Sequence, residues 1–275
     1  MLLDTLLHPP KVGTMANQTA LITGASGGIG YEFAKLFARD HYNLVLVARS
    51  GDKLIKLADD LQQQFGITVK TVALDLGAAP SPQFLFDQLK REGIAVDILV
   101  NNAGYGNFGE FAKMPIEEAL GQINLNITAL TALTRLFVPA MLERRSGKIM
   151  NVASTAGFQP GPLMAVYYAT KAYVISFTEA VANELKGSGV SVTCFCPGAT
   201  ETGFATRAGN DKTRLFRKFG PMDVKTVALD GYRGLMKGKT LVISGAKNWL
   251  VAESVRFAPR NAVTAISRWI TEEQK

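Results

Sequence analysis

The chain has 275 residues, 47% of them hydrophobic and 19% charged, with a formal net charge of +7. That composition is too apolar for a disordered polymer and long enough for one large α/β domain, and no stretch reaches the roughly 18 uninterrupted apolar residues of a membrane span. The positive charge is scattered, with one modest cluster at Arg207, Lys212, Arg214, Arg217 and Lys218 and no nucleic-acid motif beside it, so a soluble protein without a nucleic-acid partner is expected.

Residues 1–16 read as a tail. Asp4 interrupts a short apolar run that no basic residue precedes and no cleavage site follows, and Pro9, Pro10 and Gly13 break any helix there; Met15 is a candidate start. The first strand, TALIT, leads directly into TGASGGIG at 23–30 and a helix over 28–39. Gly24, Gly28 and Gly30 permit a tight turn and close backbone approach, and the helix N-terminus offers free N–H groups to a pyrophosphate. With Ser26 and Ile29, this turn is a candidate dinucleotide site, because the strand before and the helix after are what the mechanism requires.

The second strand, NLVLVA, is followed by Arg49 and Ser50, where many dinucleotide folds place an acid for the ribose hydroxyls. An acid would repel a 2′-phosphate, whereas Arg49 pairs with one through its planar fork and Ser50 adds a donor, so NADP(H) is expected over NAD(H). After a helix over 52–65, the strand TVKTVAL ends at Asp75 and Leu76; after a helix over 82–92, the strand VDILVN ends at Asn101, Asn102, Ala103 and Gly104. Asp75 is placed to accept from the adenine amino group, Asn101 to tie neighbouring strands, and Gly104 to let the chain pass close to the cofactor. Leu76, Asn102 and Ala103 complete these candidate cofactor contacts, although Asn, Asp and Gly also favour plain turns.

A helix over 115–145 and the strand GKIMNVAS bring the chain to Ser154, and a helix over 164–186 carries YYATK. Tyr167 and Lys171 lie one turn apart and share a face, while Tyr168 is turned away. A free tyrosine titrates near pH 10, and a neighbouring ammonium is expected to lower that. Tyr167 is therefore a candidate proton donor to a carbonyl and acceptor from an alcohol, with Ser154 donating a hydrogen bond to the substrate oxygen. The strand VSVTCFC follows, then Pro197, Gly198, Thr200 and Thr202 as further cofactor candidates. The irregular stretch 200–222, with Gly203 and Gly220 as hinges, reads as a mobile lid. A helix over 223–236, the strand KTLVIS and an extension over 248–275 close the chain. Ala262, Ile266, Trp269 and Ile270 fit one face of a helix in that extension. The protein itself, a partner subunit or a lipid surface would cover such a face, and packing on the protein itself is the expectation.

The strands are continuous apolar runs, which marks a sheet covered on both faces: a doubly wound parallel α/β sheet of about seven strands forming a single domain over 17–247. Cys194 and Cys196 share one face of a strand, with no ligand-rich cluster to suggest a metal; two buried thiols in a reducing compartment point to the cytoplasm. A Ser-His-Asp hydrolase is excluded, since the two histidines are His8 in the tail and His41 in a turn before the second strand.

Together, TGASGGIG, NNAG and YYATK resemble the motifs of the short-chain dehydrogenase/reductase superfamily, over about residues 17–245. The resemblance implies a Rossmann fold and hydride transfer between NADP(H) and a carbonyl or alcohol. It implies that Lys171 also bonds the nicotinamide ribose and that Thr202, in CPGATET, contacts the carboxamide. It further implies a catalytic asparagine holding a water in a proton relay to the lysine. NLNITAL offers Asn124 and Asn126, and Asn126 is chosen because its distance to Pro-Ala-Met at 139–141 is similar to the family's spacing. Homodimers or homotetramers through the helices over 115–145 and 164–186 are implied too. The long tail is similar to that of 3-ketoacyl and 17-beta-hydroxysteroid reductases, which suggests a bulky apolar carbonyl. Two other readings, a non-enzymatic cofactor sensor and a peripheral lipid-binding protein, remain beside it; the intact Ser154, Tyr167 and Lys171 speak against the sensor.

Overall fold

The computed structural model describes residues 18–218 and 220–273, so the expected tail and Met15 lie outside the described residues. The elements in order are β1 (Thr19–Thr23), α1 (Gly28–Arg39), β2 (Asn43–Ala48), α2 (Gly51–Phe65), β3 (Val69–Ala73), α3 (Ser81–Arg91) and β4 (Ile98–Asn101). There follow α4 (Ile116–Ile123), α5 (Leu130–Glu143), β5 (Gly147–Val152), α6 (Ala165–Glu184) and β6 (Val190–Cys196). The chain ends with α7 (Phe204–Ala208), α8 (Arg214–Lys218), α9 (Val224–Met236), β7 (Leu241–Ile243), α10 (Ala246–Ser254) and α11 (Arg260–Thr271).

Among the described residues seven strands form one sheet in the order β3-β2-β1-β4-β5-β6-β7, each pair parallel. Alternation along β1 sends Ala20 and Ile22 into one layer, with Phe33 and Phe37 of α1 and Val227 of α9, and Leu21 into the other, with Leu85 of α3 and Phe137 of α5. Apolar residues on both faces are why these strands read as unbroken hydrophobic runs. Phe33 and Phe37 are fully buried, each contributing about 1.5–3 kcal/mol. Strand order reverses at β1, which lies between β2 and β4, so the C-terminal ends of β1 and β4 flank the crevice where such sheets hold ligands.

The expected helix over 115–145 forms as one helical run over 116–143, in which α4 and α5 are joined by a π-helical segment, Asn124–Ala129, whose wider turn changes which side chains face inward. The helical run over 116–143 is long and apolar enough to cross a membrane, but Leu133, Phe137 and Met141 lie in the core beneath the sheet. The extension beyond 247 is not one helix packed by its apolar stripe. It begins within α10, turns through a 3-10 segment at Val255–Phe257, and α11 buries Val263, Ser267 and Thr271 while Ala262, Ile266 and Trp269 are exposed and Ile270 half-buried. On the face toward the protein, Thr271 donates to Pro162 O at 2.9 Å. The lid over 200–222 is more regular than expected, with α7 and α8 inside it.

Candidate active site

Gly24 follows β1 with φ 67°, and Gly28 opens α1 with φ 57°, backbone regions that favour glycine. A Cβ on Gly30 would lie 2.4 Å from Gly24 O and 2.6 Å from Asn102 Nδ2, so only glycine lets the helix start so close to the strand end. Asn102 spends its amide on this turn, donating to Thr23 O at 2.9 Å, and its own N–H donates to Thr23 Oγ1 at 2.9 Å. Ala103 N–H donates to the same hydroxyl. Asn101, as expected, ties strands, donating to Asn151 Oδ1 at 2.9 Å and Thr134 Oγ1 at 3.1 Å. No side chain caps α1, which leaves its first-turn N–H groups, at Gly28, Ile29 and Gly30, to an external anion, with half-buried Ser26 beside them. These residues fit a dinucleotide pyrophosphate.

At the end of β2, Arg49 is exposed and lies 3.9 Å from Asp75 Oδ2, and Ser50 makes no cap hydrogen bond to α2. Asp75 also accepts from Gly77 N at 2.9 Å. Leu76 sends its side chain into the core instead, so any cofactor contact there falls to its backbone. Across the crevice, Thr202 lies 3.3 Å from where a Cβ on Gly28 would stand, Thr200 is buried, and Pro197 O accepts from Thr155 N at 2.9 Å. A Cβ on Gly198 would collide with Asn248 of α10, so that glycine serves packing of the extension.

Ser154, buried just past β5, accepts from Ala156 N at 3.1 Å and donates to Pro197 O at 3.4 Å. Lys171 is buried in α6 and donates to Val152 O at 2.7 Å, its Nζ 5.7 Å from the centre of the Tyr167 ring. Burial lowers the Lys171 ammonium to about 8. Burial pushes Tyr167 well above the ordinary tyrosine value, with a Ser154 hydrogen bond acting the other way. Desolvation thus sets the direction at Tyr167, against the lowering expected from Lys171, whose ammonium donates to the Val152 carbonyl. Asn126 is buried and Asn124 exposed, the π-helical turn directing the former inward. Asn126 donates to Tyr105 O at 2.9 Å and Thr170 Oγ1 at 3.0 Å and accepts from Tyr105 N at 3.1 Å. Both it and Lys171 press on Gly104: a Cβ there would stand 3.0 Å from Asn126 Oδ1 and 3.5 Å from Lys171 Nζ.

Several residues around this cluster carried no sequence signal. Phe108, Met164, Phe204 and Ala208 pack with Tyr167 and Tyr168 as an apolar roof, the Phe204 ring 5.3 Å from that of Tyr167. Leu163, entering α6, holds φ 68°, a strained conformation for leucine, where its carbonyl accepts from Gly109 N at 2.8 Å. Arg207 of the lid lies over Tyr105, and Asn210 is buried beside Met164 with its Oδ1 unpaired.

Residues 18–213 match the short chain dehydrogenase family. A very-long-chain 3-oxoacyl-CoA reductase of Phaeosphaeria nodorum is 39% identical over 179 residues, 64% of this chain and 52% of that protein, so the chain spans about half the length of this curated relative. A short-chain dehydrogenase from Sphingobium yanoikuyae in complex with NADPH superposes with a TM-score of 0.79 at 34% identity, covering 87% of this chain and 93% of that one. The bulky-bulky ketone specific alcohol dehydrogenase from Comamonas testosteroni superposes with a TM-score of 0.76 at 30% identity, over 88% and 93%. With the glycine turn, the strand-end motifs and the Tyr-Lys helix in one crevice, these matches make the chain a member of the short-chain dehydrogenase family of oxidoreductases.

Proposed function

We propose that this chain is an NADP(H)-dependent reductase of a bulky apolar ketone or ketoacyl compound, working from a reducing, cytoplasmic compartment. The observation that carries the reading is the convergence of Ser154, Tyr167 and Lys171 beneath an apolar roof, beside a glycine turn shaped for a dinucleotide. The nicotinamide, when bound, supplies the hydride, which no side chain can. Tyr167 keeps its proton through the neutral range and gives it to the carbonyl oxygen, while the Ser154 hydroxyl donates to the same oxygen as negative charge grows there. Lys171, cationic below about pH 8, offsets the charge left on Tyr167. Asn126 holds the backbone of Tyr105 and Gly104 against Lys171, where a water would join the relay.

Arg49, exposed and held by a long contact to Asp75, and Ser50, which makes no cap hydrogen bond, support NADP(H), as does the NADPH-bound relative from Sphingobium. Phe108, Met164 and Phe204 support an apolar substrate, consistent with the Phaeosphaeria 3-oxoacyl-CoA reductase and the Comamonas bulky-bulky ketone specific alcohol dehydrogenase. Unpaired Asn210 Oδ1 offers an acceptor to a substrate hydroxyl or amide. Ile116, Leu120 and Ile123, exposed at helical spacing on α4, support a homodimer or homotetramer through α4 and α6. The buried, unbridged Cys194 and Cys196 support the reducing compartment.

The test is loss of NADPH absorbance against ketoacyl thioesters, steroid ketones, aromatic aldehydes and small ketones, with NADH alongside. Turnover with NADPH and the bulky ketones is expected, and Tyr167→Phe should lower it at least about 100-fold while still binding NADPH. Tight NADPH binding with no turnover of any member would favour a cofactor sensor instead.

A further inference from the structure

The two tryptophans of the chain, Trp249 and Trp269, both lie in the C-terminal extension and both are largely exposed, at 53% and 44%. The same extension exposes further large apolar side chains: Leu250 at 63%, Phe257 at 87% and Ile266 at 57%. On α11 the exposed Ala262, Ile266 and Trp269 follow helical spacing on the side opposite Val263, Ser267 and Thr271, which face the protein. Large apolar side chains exposed in such number within one segment mark a contact with something else.

Cations border it. Segments 207–218 and 246–273 together hold nine Lys and Arg against four Asp and Glu. The Arg214 guanidinium and the Lys218 ammonium both lie over the Trp269 ring, at 5.3 and 5.2 Å. Glu272 pairs with Arg214 and Arg268, which leaves Arg217, Lys218 and Arg260 exposed near the stripe. A two-fold contact with a second copy would set this basic rim against itself. An anionic bilayer surface instead offers headgroups to the cations and acyl chains to Phe257, Ile266 and the tryptophans, whose amphipathic rings suit that depth.

We propose that the α10–α11 surface docks this protein on anionic lipid bilayers, and that the lid lies beside the lipid when it does. The lid is fastened to this surface: Arg214 N–H donates to Glu272 O at 3.1 Å, Arg214 Nη1 donates to Trp269 O at 2.8 Å, and Thr213 bridges to Glu273. Docking thus brings the roof over Tyr167 next to the acyl chains, and an apolar ketone enters from the membrane without crossing bulk water. The docking stands on the surface alone; the delivery of substrate rests on the reductase reading above.

The full-length protein is mixed, at low salt, with vesicles of phosphatidylcholine alone or with about a third phosphatidylglycerol, and both sedimentation and tryptophan fluorescence are read. Sedimentation with the anionic vesicles, a blue shift of the emission, and loss of both at high salt are expected. The double variant Phe257→Ser/Ile266→Asn should partition at least ten-fold less, while retaining wild-type NADPH binding and turnover of a water-soluble ketone without vesicles. Wild-type protein that stays in the supernatant with anionic vesicles, or a double variant that sediments like wild type, overturns the proposal. So does a wild-type dimer that the double variant breaks to monomers, since a second copy then covers the surface. Failure of the reductase reading would appear separately, as absent turnover with lipid binding intact.

Discussion

The guanidinium of Arg207 lies 4.9 Å over the ring of Tyr105, joining the lid to the loop that follows the β4 strand end. Although its side chain is exposed, Arg207 has its pKa lowered by partial desolvation first and by the charge of Arg49 second, so two cations face one region of the crevice. An anion between them would relieve that cost, and a cofactor phosphate is the anion the glycine turn implies. Arg207→Ala is expected to weaken NADPH binding about 3–30-fold in a fluorescence titration, the range of one desolvated cation contact, and to speed tryptic cleavage within 204–218. Unchanged affinity together with unchanged cleavage would mean that the stacked pair holds neither lid nor cofactor.

Gly106 is packed by the catalytic ring itself. A Cβ there would stand 2.9 Å from Tyr167 Cγ and Cδ2 and 3.1 Å from Met164 Cε, closer than side chains sit without shifting. Gly106→Ala should push the Tyr167 ring by a few tenths of an ångström and lower kcat about ten-fold or more, with NADPH affinity preserved because the glycine turn is untouched. Wild-type kcat in a folded Gly106→Ala protein would show that the ring position is not critical.

What was legible in the sequence followed from local rules. TALIT and NLVLVA become β1 and β2 at their expected residues because strands buried on both faces are unbroken apolar runs, and α1 begins at Gly28 because the glycine turn that starts it is local. The strand-tying amide of Asn101 was also legible. The rest depends on neighbours distant in sequence. Nothing in NLNITAL marks a π-helical turn; it becomes visible only as Asn126 reaches Tyr105 and Thr170. The spacing of Ala262, Ile266 and Trp269 correctly identifies a helix face, yet periodicity alone does not say which face meets the protein, and here the face of Val263, Ser267 and Thr271 does. A Tyr-x-x-x-Lys spacing carries charge but not the burial that pushes Tyr167 upward.

Arg49 tests the choice of nucleotide. Its side chain is exposed and its contact to the Asp75 carboxylate is a long 3.9 Å, so it can turn to a 2′-phosphate. Arg49→Ala should weaken NADPH about ten-fold more than NADH, the size of a lost charge-assisted hydrogen bond. Direct titration of both nucleotides reads this, and equal weakening would remove the basis for NADP(H).

Lys171 links the site to stability. Burial lowers its pKa from 10.5 to about 8, so between those values the unfolded chain binds a proton that the folded protein does not. Stability therefore rises with pH across that window, and below about pH 8, where both states are protonated, the folded protein carries the full cost of the buried charge. A shift of this size corresponds to about 3 kcal/mol. Lys171→Met removes the titration but also the hydrogen bond to Val152 O, a loss that does not vary with pH. Urea unfolding of both proteins should give a stability difference, variant minus wild type, that is flat below about pH 8 and falls by about 3 kcal/mol by pH 10.5. A difference that stays constant throughout would mean that Lys171 titrates at its ordinary value, and the charge it is proposed to hold beside Tyr167 would then persist well above pH 8.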